Sequence, residues 1–162
     1  MRIKYATLIL IMIVLALSAC GGAPGPSDTN GATTSLAFFD YSGSPGSTVD
    51  VPLDIRGASE VGAMTIVLTY DPSILGVSDV VAGDLTGDSM LAYDSAVPGI
   101  LGISVADADG ISGDGSLVVI LFSVIGELGD TSPLTLETFE ANHVDTLLEI
   151  PTGVTSGTFT VA

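Results

Sequence analysis

Tryptophan is missing from this chain of 162 residues, cysteine and histidine occur once each, and lysine and arginine together number three. Each scarcity excludes something. A single cysteine, Cys20, cannot form an intrachain disulfide. Arg2 and Lys4 sit at the extreme N-terminus, so Arg56 alone faces 19 Asp and Glu, a net of −18 beyond the leader. Such a chain repels phosphate backbones, and no nucleic acid is expected as a partner. A cationic partner, a divalent ion or a salty medium suits it, and so does the plain solubility of an acidic surface. With aromatics at 6% and no Trp, stacking platforms for sugars are scarce, which counts against a carbohydrate-binding module.

Catalytic patterns are lacking too. There is no Gly-x-Ser-x-Gly, no phosphate-binding loop, no His-Glu-x-x-His, and no lysine beyond position 4. His143 closes the segment Glu140-Ala-Asn-His and reads as a solvated loop residue. With so many acids, any carboxylate pair suited to glycoside hydrolysis is expected by chance. The chain is not expected to be an enzyme. No window of a dozen residues carries a helical period.

What is present begins with a leader. A basic end at Arg2 and Lys4, an apolar run from Ala6 to Leu17 and small residues before position 20 form a secretory signal over 1–19, too short for a membrane span. Leu17-Ser18-Ala19-Cys20 followed by two glycines resembles a lipobox, the signal by which prokaryotic lipoproteins are cut before a cysteine that is then lipidated. That resemblance implies an exported chain held at a membrane, on the cell surface or in the periplasm, by acyl groups on Cys20. Residues 20–34, rich in Gly, Pro, Ser and Thr, form a tether.

From Ser35 to the end, short apolar segments alternate with turn clusters. In Val61 to Tyr70, the side chains Met64, Ile66, Leu68 and Tyr70 share one face while Ala63, Thr65, Val67 and Thr69 share the other, the period of a half-buried strand. Asp71-Pro72 stops it, because proline cannot donate to a ladder. Further strands are expected at Leu36–Tyr41, Thr48–Ile55, Leu75–Val81, Ile100–Ala106, Leu117–Ile125, Pro133–Phe139, Thr146–Ile150 and Thr158–Val161, with a variable region around Ser89–Tyr93. Pro52 hints at an edge or a bulge. About nine strands separated by Gly, Pro, Asp and Ser predict an all-β sandwich over 35–162.

Leu117–Ile125 is apolar on both sides, Val118, Ile120, Phe122 and Val124 on one and Leu117, Val119 and Leu121 on the other. Such a strand is buried on both sides, either beneath the segment from Val81 to Val97 or against another molecule. Asp107-Ala-Asp109-Gly110 with Asp114 suggests a calcium loop, but the glycine stands fourth rather than sixth and Val118 holds the twelfth position. A looser calcium site at Asp107, Asp109 and Asp114, or at Asp84 and Asp88, stands beside the simpler reading that Asp and Gly shape turns.

Taken in order, Ser44-Pro-Gly-Ser-Thr-Val-Asp-Val-Pro-Leu53, Val61-Gly-Ala-Met followed by Leu-Thr-Tyr-Asp-Pro-Ser-Ile-Leu75, Gly110-Ile-Ser-Gly-Asp-Gly-Ser-Leu followed by Leu-Phe-Ser-Val124, and Gly157-Thr-Phe-Thr-Val161 resemble cohesin domains. The resemblance implies a nine-stranded jelly-roll sandwich that binds a dockerin, a small calcium-loaded helical module of another protein. The implied binding face is the sheet of the eighth, third, sixth and fifth strands. Its expected outward positions are Ala63, Thr65 and Val67 on the third strand, Ile100, Gly102 and Ser104 on the fifth, and Leu117, Val119 and Leu121 on the sixth. Many cohesins carry a more polar pair, often Asn and Asp, where this chain has Ala63 and Thr65. A carbohydrate-binding module and an adhesive surface domain are the alternatives to a dockerin receptor.

Overall fold

A computed structural model describes residues 33–162, so the leader, Cys20 and all but the end of the tether lie outside the described residues. Nine strands make up the fold, with no helix among the described residues: β1 (Thr34–Ala37), β2 (Tyr41–Gly43), β3 (Thr48–Thr69), β4 (Leu75–Ala82), β5 (Met90–Asp94), β6 (Ile100–Val124), β7 (Thr131–His143), β8 (Thr152–Thr155) and β9 (Gly157–Val161).

Two long strands organise the sandwich. β3 and β6 pair antiparallel from Thr48↔Ser123 to Thr69↔Ile100, with register breaks between Leu53 and Ala63. Bulges of this kind bend a ladder and raise its twist, which lets one strand pair serve both layers. In the first layer, residues 116–123 of β6 lie between residues 48–54 of β3 and β4, and β1 joins β3 to the parallel strand β8. In the second, the first half of β6 lies between β5 and the second half of β3, whose other side pairs with β7. The start of β7 pairs with β9, and β9 with the parallel strand β2.

The inward sets meet in one core. Val51, Leu53, Ile55, Leu75, Ile120 and Phe122 come from the first layer, and Met64, Ile66, Leu68, Leu101, Ile103 and Val105 from the second; all are buried. Tyr70 closes over Phe122 edge-on, with ring centroids 5.3 Å apart. Fully burying an aliphatic side chain of this size contributes about 1.5–3 kcal/mol, so the alternation seen in Val61–Tyr70 decides which way that strand faces.

Several boundaries differ from the sequence expectation. Leu36–Tyr41 is not one strand: β1 ends at Ala37, and after a jog the chain resumes as β2 beside β9. β8 and β9 break together with them. Phe38 N donates to Thr155 O, Thr158 N donates to Asp40 Oδ1, and a Cβ on Gly157 would stand 2.2 Å from Phe39 O. Only glycine permits that crossing. Residues 56–60 and 107–116 are not loops but the bulged middles of β3 and β6. Thr146–Ile150 forms a turn and an isolated bridge, Asn142↔Glu149, in place of a strand. Pro52 lies where β3 has passed the end of β1, next to the bulge at Leu53/Asp54, and its carbonyl accepts Tyr41 Oη–H. Asp71-Pro72 ends the third segment as expected, and the Asp71 carboxylate accepts the N–H and hydroxyl of Ser73.

Candidate functional site

The outward side of the second layer is built in rows by the register. Met90, Ala106, Ala63 and Asn142 form one row; Ala92, Ser104, Thr65 and Glu140 the next; Asp94, Gly102, Val67 and Thr138 a third; Ile100, Thr69 and Thr135 the last. Residues directly opposite in a ladder project to the same side. Ala63, Thr65, Ile100 and Ser104 are exposed, and Val67 and Gly102 half-buried. Most of these side chains are short, so the face is flat and no described residue covers it, with Met90 projecting at its edge, 79% exposed.

Six of the nine residues expected on the binding face therefore share one surface: Ala63, Thr65, Val67, Ile100, Gly102 and Ser104. Leu117, Val119 and Leu121 do not. They lie in the second half of β6, in the first layer, where Val119 stands opposite Pro52 and Val81, and Leu121 opposite Asp50 and Asp79. Leu117 is fully buried, and the segment Gly83–Thr86 closes on it: Gly83 N and Thr86 Oγ1 both donate to Leu117 O. Its dryness belongs to the core.

The misplacement has a simple origin. Met90–Asp94 is a strand, so the fifth strand in chain order is β5, and the sheet that carries Ala63, Thr65, Ile100, Gly102 and Ser104 is built from β5, the first half of β6, the second half of β3, and β7. Ile100–Ala106 is the start of the sixth strand rather than the fifth, so Leu117–Leu121 continues β6 into the first layer and lies outside the face. Met90, Ala92, Asp94, Glu140 and Asn142 join the face for the same reason, and Ala106 continues the alternation of Ile100, Gly102 and Ser104 by one step; the alternation in Met90-Leu-Ala-Tyr-Asp94 is the signal that reveals the edge strand.

Two of the acidic residues considered for calcium, Asp107 and Asp114, are engaged otherwise. Asp107 Oδ1 accepts the N–H groups of Asp109 and Gly110, and Oδ2 accepts the Ser89 hydroxyl at 2.6 Å. The Ser89 hydrogen bond, then the one from Asp109, holds the Asp107 carboxyl below its ordinary 3.8. Asp114 turns away to accept Gly57 N at 2.7 Å. Asp84 and Asp88 line an open depression with Asp107 and Asp109. Among the described residues no three His, Cys, Asp or Glu side chains converge to hold a metal ion.

His143 is not a free loop residue. It ends β7, its Nδ1 accepts Asp145 N at 3.1 Å, and its Nε2 lies 3.1 Å from Glu60 Oε2. Since Nδ1 is the acceptor, Nε2 carries the proton and donates to Glu60.

The family model of the Cohesin domain matches residues 35–161. Cellulosomal-scaffolding protein A of Acetivibrio thermocellus is 27% identical over 92 residues, covering 54% of this chain and 5% of that protein; the chain thus spans a small fraction of the relative's length. The non-cellulosomal cohesin of the hyperthermophilic archaeon Archaeoglobus fulgidus aligns with a TM-score of 0.73 at 33% identity, over 81% of this chain and 92% of that one. CaCohA2 of Clostridium acetobutylicum, solved in a complex with CaDoc0917, aligns with a TM-score of 0.74 at 29% identity, over 80% of this chain and 100% of that one.

Proposed function

The chain belongs to the cohesin family, and from that membership we infer that it is a receptor, a protein-binding module without catalysis, that docks a dockerin-like helical module on the outer face of β5, β6, β3 and β7. One observation carries the choice of surface. It is the uncovered sheet face on which Ala63, Thr65, Gly102 and Ser104 leave the backbone within reach of a partner's helix. Sheet faces of a monomer are otherwise roofed or polar.

The mechanism follows from shape. A flat, stiff sheet changes little on binding, so a helix can be received without ordering loops, and the association keeps more of its contact energy. The basic end and apolar run of residues 1–19 support an exported placement. Acylation of Cys20 would hold the docked complex at the membrane through the tether of residues 20–34.

Capture from the native secretome on the immobilised chain tests the docking. A dockerin-bearing protein is the expected catch, and Thr65→Arg is expected to release it while the far-ultraviolet circular dichroism stays unchanged. Retention of that catch by folded Thr65→Arg and Ser104→Arg variants would remove the assignment of this face. Binding of polysaccharide in a glycan pull-down would favour the carbohydrate alternative. Membrane fractionation of Cys20→Ala tests the anchor, with release of the protein into the soluble fraction as the expected result.

A further inference from the structure

The docking face is not uniform. Two shallow depressions lie side by side across β3, β6 and β5. One, of about 270 Å³, is bordered by Thr65, Val67, Ala92, Asp94, Gly102 and Ser104. The other, of about 320 Å³, is bordered by Ala63, Thr65, Met90, Ala92, Ser104 and Ala106. They share the row of Ala92, Ser104 and Thr65 and are offset by one row, which is two residues of strand or about 6.7 Å.

Charge is arranged around them rather than within. Asp94 stands at the β5 border, Glu140 and Glu137 at the β7 border, all exposed, with Glu137 held by the Thr69 hydroxyl at 3.1 Å. Among the described residues no Lys or Arg faces them: Arg56, the one Lys or Arg beyond position 4, lies next to β1 with its guanidinium 5.9 Å from the centre of the Phe39 ring.

We propose that the partner is a helix presenting two bulky aliphatic side chains at positions i and i+4, flanked on both sides by lysine or arginine. This rests on the docking reading above and specifies its partner. Because the receptor's own side chains are short here, the bulk that fills the depressions must come from the partner. Positions i and i+4 of a helix are separated by about 6 Å along its axis, which matches the offset of the depressions when the helix runs along β6. Its flanks then pass over Asp94 on one side and Glu137 and Glu140 on the other. Basic flanks complement those carboxylates, and acidic flanks are repelled. The chain thus puts its charge discrimination at the borders and leaves the centre to packing.

The test uses two synthetic helical hairpins that share leucines at i and i+4 and differ only in lysine or glutamate flanks. Fluorescence anisotropy against the intact chain is expected to give about tenfold or more tighter binding of the lysine hairpin at about 50 mM salt, a gap that narrows at about 500 mM. Equal binding of the two, or binding of neither, overturns the proposal. Two variants separate this inference from the reading beneath it. Gly102→Leu fills a depression from the receptor side, and a Cβ there meets only Asp94 O at 3.9 Å, so the fold accommodates it. Asp94→Lys with Glu140→Lys reverses the border. Loss of the secretome partner in both variants supports the proposal. Loss in Gly102→Leu alone overturns the charge assignment and leaves the docking face standing, whereas capture unchanged in both folded variants removes both.

Discussion

From a fully buried position, Thr86 donates its hydroxyl to the carbonyl of Leu117 and accepts the N–H of Gly83 at 3.0 Å. One side chain thereby seals the turn after β4 onto the middle of β6. Thr86→Val keeps the shape and removes both bonds. It is expected to cost about 1–2 kcal/mol in chemical denaturation, the net worth of the two lost hydrogen bonds, because Gly83 N and Leu117 O keep each other as partners. Docking should be unaffected, because this seal belongs to the first layer.

The two layers separate in a second measurement. Val119→Asp and Leu121→Asp place a new carboxylate on half-buried positions, and Leu121 faces Asp50 and Asp79 in the register. Both variants are expected to lower the melting temperature by several degrees while keeping partner capture near wild type, since neither residue lies on the second layer. Loss of capture with unchanged melting would place the dock on the first layer instead.

Gly62 and Gly102 predict opposite outcomes for the same substitution. A Cβ on Gly62 would lie 2.5 Å from the backbone Cα of Val144, while one on Gly102 finds only a carbonyl oxygen at 3.9 Å. Gly62→Ala is expected to destabilise by about 1–3 kcal/mol, the usual range for overpacking. Gly102→Ala should be close to neutral.

Asp107 links stability to acid. Its carboxyl is held below 3.8, first by Ser89 and then by Asp109. A group depressed in the folded state stabilises above its unfolded value, near pH 4, and loses that contribution as pH falls through the lower folded value. The gap in melting temperature between wild type and Asp107→Ala should therefore be full at neutral pH and close on descent below about pH 4. A gap that widens in acid would contradict the geometry. Calorimetric titration of calcium into both proteins gives a further reading. With each Asp107 oxygen already accepting hydrogen bonds, no heat is expected at millimolar metal.

In the core, Phe122 is fully buried against Tyr70. Phe122→Ala is expected to cost about 3–5 kcal/mol, measured by denaturant midpoint, because a ring-sized cavity cannot collapse between two sheets.

The sequence carried much of this where local and global demands agree. Met64, Ile66 and Leu68 alternate with Ala63, Thr65 and Val67 because one side is core, and burial enforces that period directly. Asp71-Pro72 ends the strand by chemistry that no tertiary contact overrides. The misreadings share another cause. Residues 107–116 are rich in Asp, Gly and Ser and resemble a loop, yet they belong to β6 because β3 pairs with them from far away in the chain. β5 is a five-residue edge strand, too short to stand out by composition. For Leu117 the sequence leaves open a cover from within Val81–Val97 or a partner, and the first holds because Gly83–Thr86 closes on it; no local pattern decides between the two. Ser89 could not be matched to Asp107 either, since their meeting depends on the path between β4 and β6.

Because β3 and β6 each thread both layers, neither layer can peel away while the other stays intact. Amides beneath the docking face and amides beside Leu53 should exchange with solvent through one shared, global opening, at a common free energy. Assembly must wait for partners as remote as Thr48 and Ser123 to find each other, so refolding should be slow, on the order of milliseconds to seconds. A receptor built this way offers its visitor either a complete landing surface or none.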